Sequence, residues 1–189
     1  MKDLITSILV IAVFTILLGT GYPLAVWGVA QVAFPHQANG SLIRNAEGDV
    51  IGSELIGQNF TAEAYFHSRP SAAGNGYDAG ASGGSNLGPT SEKLINRIKT
   101  DADALQAENP GKPIPADMVT TSASGLDPHI SPAAAEFQIP RVARERNMSP
   151  EDLRKVVGKF TEGRQLGFLG EPRVNVLLLN LKLDKNVKK

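Results

Sequence analysis

The chain opens with a long run of hydrophobic residues that carries no charge. The charged side chains before this run are Lys2 and Asp3, and the next charged residue along the chain is Arg44. A helix needs about 20 apolar residues to cross the hydrocarbon core of a bilayer. The run at residues 4–34 exceeds that length. The pattern therefore predicts one transmembrane helix within an N-terminal segment of residues 1–37.

Two other interpretations of this run are weaker. A cleaved signal peptide has an apolar region of about 7–15 residues followed by a site with small residues. Here the run is longer, and Tyr22, Pro23 and Trp27 come before any plausible cleavage site. A hairpin buried in a soluble domain is also disfavoured, because a small domain has too little interior to hide so continuous a run. We therefore expect an uncleaved anchor.

Small residues interrupt the predicted membrane helix. Gly19 and Gly21 precede Pro23, which lacks a backbone donor and crowds the preceding turn, so a kink is expected near Gly19. The face formed by Thr15, Gly19 and Pro23 would let another helix approach closely. A lone helix with incidental glycines is an equally good interpretation.

Shorter patterns in residues 38–189 predict one soluble domain with strands at both ends and helices between them. Its predicted strands are residues 41–44, 50–56 and 173–183, the last because leucines alternate with Asn180 and Lys182. Predicted helices begin near residue 89 or 90, after the N-cap Ser131, and after the N-cap Ser149. Pro140 is expected to kink or restart the second helix. Residues 71–89 form a long predicted loop, residues 185–189 a solvated tail, and the fold class is α+β.

Composition excludes several classes of function. The chain has 19 Lys and Arg against 19 Asp and Glu, and it has no cysteine. Zero net charge disfavours a nucleic-acid partner, because phosphate binding requires a basic face. Without cysteine, a disulfide framework, a thiolate nucleophile and a cysteine-based zinc site are all excluded.

The closest approach to a catalytic pattern is the group Asp127, His129 and Ser131. A triad needs side chains that converge in space, and the prolines at 128 and 132 indicate a rigid turn with Ser131 as a helix cap. A metal site of His67, Asp127 and His129 is weaker still, because no pair has the helical spacing of zinc motifs. We predict neither a catalytic residue nor a metal ligand.

A Gly-rich stretch at residues 82–90 leads into a predicted helix start. Backbone donors at such a position can bind anions. The candidate nucleotide-contacting residues are Ser82, Gly83, Gly84, Ser85 and Asn86, in a Ser-Gly-Gly sequence that faintly echoes the signature motif of ABC ATPases. No Gly-Lys-Ser/Thr follows, so this is not a P-loop. A polar connecting loop is the favoured interpretation.

Two further segments combine aromatic residues with arginine, at residues 65–70 and 163–173. Such residues are favoured contacts at interfaces. Phe66 and Phe168 fit a protein interior equally well, and the sequence leaves both interpretations open.

Four of these segments, residues 65–72, 82–90, 124–135 and 163–175, together resemble the KdpC family, a component of the Kdp potassium-transporting P-type ATPase. The resemblance implies a bacterial inner-membrane subunit of a high-affinity potassium uptake complex. Its implied partners are a channel-like potassium-binding subunit, the P-type ATPase subunit and a small helical subunit, besides membrane lipid. The implied role is non-catalytic: stabilising assembly, and acting as a catalytic chaperone that raises the ATPase subunit's affinity for ATP.

Within that resemblance, ATP and potassium ion are handled by the complex, and this chain has no cofactor of its own. Its sequence lacks the Asp-Lys-Thr-Gly-Thr motif of the phosphorylated subunit. The candidates for partner contact are Arg69, Asn86, Asp127, His129, Arg164 and Arg173.

Charge bias predicts the orientation. Lys2 and the terminal amino group lie before the helix, whereas no Lys or Arg follows it until Arg44, which favours a cytoplasmic N-terminus and an extracytoplasmic domain. Such a domain cannot touch cytosolic ATP, so an effect on ATP affinity would require coupling through the membrane region. The alternatives are a membrane-anchored extracytoplasmic hydrolase using Asp127, His129 and a serine, and a nucleotide-binding module using residues 82–90.

Overall fold

A computed structural model describes residues 1–187 of the chain, with side chains up to Asp184. The chain divides into two compact units, Met1–Ser53 and Glu54–Lys189. The predicted domain limits of 1–37 and 38–189 stay a prediction. Helices and strands follow in the order α1 (Lys2–Ile16), α2 (Tyr22–Ala33), α3 (Pro35–Ala38), β1 (Leu42–Arg44), β2 (Val50–Ser53), α4 (Glu92–Glu108), β3 (His129–Ile130), α5 (Pro132–Glu145), α6 (Pro150–Lys159), β4 (Thr161–Glu162), β5 (Arg173–Asn175) and α7 (Val176–Val187).

The N-terminal apolar helix is one continuous span, Lys2–Ala33, and is the one helix of the described chain that is long and apolar enough to cross a membrane. At about 1.5 Å per residue it exceeds the roughly 30 Å hydrocarbon core. The distortion expected near Gly19 takes the form of a π-helical turn, Leu17–Gly21. A wider turn at this point removes the clash between the Pro23 ring and the preceding turn, which is why it falls there.

A short hairpin completes the first unit, as the sequence predicts. Strands β1 and β2 pair antiparallel, with Leu42 opposite Ser53 and a bulge between Ile43 and Arg44. The Asn45 side chain accepts the Asp49 N–H at 2.8 Å, and Gly48 has a φ of +92°, which its lack of a Cβ permits. The second strand ends at Ser53 rather than at residue 56.

The second unit has a three-stranded antiparallel sheet in the order β3-β5-β4. The helices α5, α6 and α7 pack around a core shared with β5, and the α+β class is confirmed. The N-caps are those predicted, since Ser131 accepts the Ala134 N–H at 3.0 Å and Ser149 accepts the Asp152 N–H at 3.1 Å. The core residues are Phe66, Met118, Ile130, Ala134, Ala135, Ile139, Val142, Ala143, Leu153, Val157, Val174, Val176, Leu179 and Leu183.

One prediction for this unit is wrong, and the helix that contains Pro140 does not restart there. The predicted strand at residues 173–183 is a strand only over Arg173–Asn175 and then becomes α7. The Asn175 side chain accepts the Leu178 N–H at 3.1 Å and so caps that helix. Helix α5 runs through Pro140 without restarting, because the residues on both sides of Pro140 are buried against the core and hold the helix together.

Of the predicted tail at residues 185–189, α7 includes the backbone to Val187, and residues 188–189 lie outside the described part of the chain.

We call residues 65–70 the aromatic segment. Side chains, instead of a β-ladder, hold this segment to the domain around Phe66. Asn180 of α7 accepts the Phe66 N–H and donates to the Phe66 carbonyl, both at 2.9 Å. Gln138 of α5 does the same for His67, at 2.7 and 3.0 Å. These two amides imitate the backbone of a neighbouring strand, so the aromatic segment is fixed between two helices.

Candidate functional site

The Gly-rich loop packs against the turn at residues 121–127, and this packing shapes the site. Gly83 donates its N–H to the Ser124 carbonyl at 2.9 Å, and the Ser82 hydroxyl donates to the same oxygen at 2.9 Å. A Cβ on Gly84 would lie 3.1 Å from the Ala123 carbonyl oxygen. The loop is therefore a close packing surface for another part of the chain.

The remaining nucleotide-contact candidates fit the same description. The Thr121 hydroxyl donates to the Ser85 hydroxyl at 3.5 Å, and Asn86 is exposed with a φ of +50°. Helix α4 follows the loop and begins at Glu92, whose carboxylate would oppose a bound phosphate at the helix N-terminus. With the Gly83 donor occupied and an acid at the helix start, the loop offers little to a nucleotide.

Arg69 fastens this turn to the aromatic segment. Its guanidinium donates to the carbonyls of Thr120 and Thr121, each at 3.3 Å. It also forms an ion pair with Asp127 at 3.3 Å between Nη1 and Oδ2. Because the planar guanidinium reaches several acceptors at once, Arg69 is a positioning residue for the whole turn.

Asp127 and His129 form a pair at the start of β3. Asp127 Oδ1 lies 3.3 Å from His129 Nδ1 and accepts the His129 backbone N–H at 3.0 Å. Partial burial raises the pKa of Asp127, but the hydrogen bonds from His129 and the positive charge of Arg69 outweigh it, so the pKa lies below its ordinary value. Asp127 is therefore an ionised carboxylate that orients the His129 ring.

Ser131 does not complete a triad with this pair. Its hydroxyl donates to Asp117 at 3.0 Å and accepts from Ala134. Among the described residues, no hydrogen bond joins the His129 ring to a hydroxyl group. The Asp127–His129 pair thus has an orienting acid and a base, but the serine that the pattern suggested is engaged elsewhere.

His67 is likewise apart from the pair. Its ring Nε2 lies 3.2 Å from the Ala62 carbonyl, and burial together with the charge of Arg141 lowers its pKa. Within residues 1–187, no three His, Cys, Asp or Glu side chains are grouped to hold a metal ion.

The candidate arginines Arg173 and Arg164 lie in different places. Arg173 pairs with Glu162 at 2.8 Å across β4 and β5, and it lines a cleft of about 530 Å³ with Arg69, Asp127 and His129. Arg164 pairs with Glu171 at 2.7 Å at the base of the loop that joins those strands. The structure therefore brings four of the six predicted contact candidates to one cleft, and Arg164 and Asn86 do not line it.

Sequence reasoning missed Asp117, which also lines this cleft. Its carboxylate accepts both the Ser131 N–H, at 2.6 Å, and the Ser131 hydroxyl. It lies in a short 3₁₀ turn, Ala116–Met118, with no local pattern that relates it to Ser131. Only the folded chain brings the two together.

Comparison with known proteins shows the family of the chain. The model of the family described as "KdpC: K+-transporting ATPase, c chain" matches residues 4–185. The chain belongs to the KdpC family. The match spans nearly all of the N-terminal apolar helix, the residues that line the cleft and the β4–β5 loop.

Individual KdpC relatives are similar over nearly their whole length. The chain is 66% identical to the "Potassium-transporting ATPase KdpC subunit" of Koribacter versatilis, over 97% of this chain and 94% of the relative. The KdpC protein of Caulobacter vibrioides is 64% identical over 90% of this chain and 87% of its own. That of Gloeobacter violaceus is 57% identical over 97% and 96%.

Proposed function

We propose that this chain is a non-catalytic accessory subunit of a high-affinity, ATP-driven potassium uptake complex. It stabilises the assembly of the channel-like potassium-binding subunit, the P-type ATPase subunit and the small helical subunit. The observation that carries the proposal is the match of residues 4–185 to the KdpC family of the K+-transporting ATPase. The cleft supports a binding role, because it presents charged groups without a serine hydroxyl at His129.

The cleft of Arg69, Asp127, His129 and Arg173 is the proposed contact surface for a partner subunit. Arg69 and Asp127 are fixed by the fold, whereas Arg173 is about half exposed and free to exchange its surface partner Glu162 for another acceptor. A surface ion pair of this kind contributes only about 0–1 kcal/mol to folding. Arg173 can therefore be replaced with little effect on the fold, which makes it the best residue for a test.

We expect Arg173→Gln to lower recovery of the potassium-binding and ATPase subunits with a tagged full-length chain. The dissociation constant should rise about 10-fold or more, as for an interface residue whose charge is buried on binding. The measurement is affinity purification from gently solubilised membranes, followed by quantification of each subunit.

Arg154→Gln is the matched control for this variant. Arg154 and Arg173 have the same side-chain exposure, 47%, and each forms surface ion pairs with glutamate: Arg154 with Glu136 and, at 3.7 Å, Glu151, and Arg173 with Glu162. Arg154 lies on α6 and does not line the cleft. Equal recovery with both variants would remove the cleft from the proposal. Failure of the wild-type chain to recover any ATPase subunit would refute the accessory role itself.

The proposal also includes location and topology: a bacterial inner membrane, a cytoplasmic N-terminus and an extracytoplasmic C-terminal domain. The support is the single candidate span Lys2–Ala33 in the described chain and the charge bias around it. Alkaline phosphatase, a reporter that is active only outside the cytoplasm, is expected to be active when it is fused after Lys189. Activity of a cytoplasm-dependent reporter at the same position would contradict this topology and place the domain in the compartment that contains ATP.

The chaperone role then operates at a distance. With the domain outside the cytoplasm, this chain changes the ATP affinity of the ATPase subunit only through coupling across the membrane region. Such couplings are typically about 1–3 kcal/mol, which corresponds to roughly 5- to 150-fold in affinity. The dissociation constant of ATP, measured by equilibrium binding to the ATPase subunit with and without this chain, reports that factor directly.

A further inference from the structure

The tip of the loop between β4 and β5 carries a group of exposed apolar side chains that are not packed against the rest of the domain. Leu166 is 82% exposed, Phe168 68% and Leu169 47%. We call these three residues the apolar tip. They are neighbours in a single loop of the second unit, next to polar and charged residues. Large apolar side chains grouped on a surface in this way mark interaction sites.

Hydrogen bonds define the backbone conformation beneath the apolar tip. Gln165 and Leu169 exchange two N–H···O=C hydrogen bonds, both 2.9 Å long. Phe168 also donates to the Gln165 carbonyl at 3.2 Å, which closes a four-residue turn. The two central residues of that turn, Leu166 and Gly167, have φ values of +53° and +82°. These angles are those of a type I′ hairpin turn.

Leucine is a poor choice for the first central position of such a turn. The left-handed conformation favours Gly, Asn or Asp, whereas a Cβ crowds the following carbonyl. Nothing in the fold compensates for Leu166, because its side chain is almost entirely in solvent. Strained residues of this kind persist where their placement serves a function. The left-handed conformation of the turn holds the Leu166 side chain outward, into solvent.

The charges around the apolar tip favour a protein partner over a lipid surface. Segments that bind a membrane surface combine apolar side chains with unpaired basic residues that engage anionic headgroups. Here Arg164 pairs with Glu171 and Arg173 pairs with Glu162, so the loop presents no net positive charge. A fluid bilayer also needs no fixed side-chain direction, whereas a shaped pocket does.

We infer that the apolar tip inserts into an apolar recess on the water-exposed surface of a membrane-embedded subunit of the ATPase complex. This inference rests on the proposed function, which supplies such a partner. The loop is continuous through Arg173 with the cleft of Arg69, Asp127 and His129. The tip therefore forms the apolar centre of a contact surface, and the paired arginines form part of its polar rim.

The variant Leu166→Asn tests this inference, because its two expected effects have opposite signs. Asparagine tolerates the left-handed conformation, so the melting temperature of the full-length chain in detergent should stay the same or rise. Removal of the apolar side chain should accelerate dissociation of the assembled complex about 10- to 30-fold. A residue with a purely structural role would lower the melting temperature of the isolated chain instead.

Ile95→Gln is the control, because Ile95 is 54% exposed on α4 and lies outside the tip. It should leave the dissociation rate unchanged. Equal dissociation rates for Leu166→Asn and wild type, with wild-type assembly intact, would refute the apolar tip alone. Absence of wild-type assembly would refute the proposed function and the tip together.

A photo-crosslinking amino acid at position 168 identifies the occupant in assembled membranes. The expected product joins this chain to a membrane-embedded subunit of the complex, identified by its peptide masses. Products with lipid only, or with a second copy of this chain, would overturn the inference.

Discussion

Replacing Arg141 by methionine is expected to lower the free energy of unfolding by about 3–5 kcal/mol, because several hydrogen-bond acceptors around its buried guanidinium lose their donor at roughly 1–3 kcal/mol each. Arg141 on α5 is 2% exposed. Its Nε donates to a Glu108 carboxylate oxygen at 3.0 Å, and its Nη1 donates to the carbonyls of Glu63 and Tyr65. Methionine fills a similar volume but leaves these acceptors without their donor.

The loss falls on the aromatic segment because Arg141 and Gln138 act together there. Arg141 Nη2 donates to Gln138 Oε1 at 2.8 Å, and the same oxygen accepts the His67 N–H. The guanidinium therefore fixes the orientation of the amide that holds His67. Methionine removes both this support and the two carbonyl contacts, so the segment at residues 63–67 should separate from α5.

The measurement is thermal unfolding of the full-length chain in detergent, where each kcal/mol corresponds to about 2–4 °C. Arg144→Met provides the control, since Arg144 lies one turn along the same helix, is 68% exposed and pairs with the adjacent Glu145. It should change the stability by no more than about 0.5 kcal/mol. A similar melting temperature for the two variants would show that the buried network does not support the segment.

The elements that the sequence predicts correctly are those with local signals. The long apolar helix Lys2–Ala33 follows from one uncharged run, and α5 and α6 follow from the caps Ser131 and Ser149 and the prolines after them. The sequence pattern misses α7 because leucines at every second position fit a strand, whereas Val176, Leu179 and Leu183 also form a buried helical face. The cap formed by Asn175 decides between the two, and it is visible only in the folded chain.

The cleft could not be predicted from the sequence, for a different reason. Arg69 and Asp127 are 58 residues apart, and Asp117 meets Ser131 across 14 residues. Nothing in the residues themselves relates these positions, and the resemblance to a family names candidates without bringing them together. The local pattern of Asp127, His129 and Ser131 even indicates the wrong group, because Ser131 faces Asp117.

Gly125→Ala is the second substitution from which we expect a large loss of stability, about 3 kcal/mol or more from combined backbone strain and steric overlap. Gly125 has a φ of +66°, and a Cβ there would lie 2.7 Å from the Ala73 nitrogen and 2.8 Å from the Gly83 carbonyl oxygen. Both neighbours are backbone atoms and cannot rotate away. The turn at residues 122–126 would have to separate from the loops at 73 and 83.

That separation would break two hydrogen bonds that hold the turn to the neighbouring loops, and it would also disturb the cleft. The Ser71 hydroxyl donates to the Gly125 carbonyl at 2.6 Å, and Gly83 donates to Ser124. Because Asp127 follows two residues later, moving the turn also moves the carboxylate that Arg69 and His129 share. Gly125→Ala should therefore weaken assembly as well as stability, and limited proteolysis should find new cleavage sites within residues 78–86.

Gly111→Ala separates the two causes of that loss. Gly111 has a φ of +78° but no atom within 4 Å of the position that a Cβ would occupy. It therefore carries only the conformational penalty of alanine in a left-handed turn, roughly 1–2 kcal/mol. If Gly125→Ala unfolds at the same temperature as Gly111→Ala, the close packing of the Gly-rich loop contributes nothing. A clearly lower temperature, together with cleavage confined to residues 78–86, would establish that glycine at position 125 is required for close backbone packing.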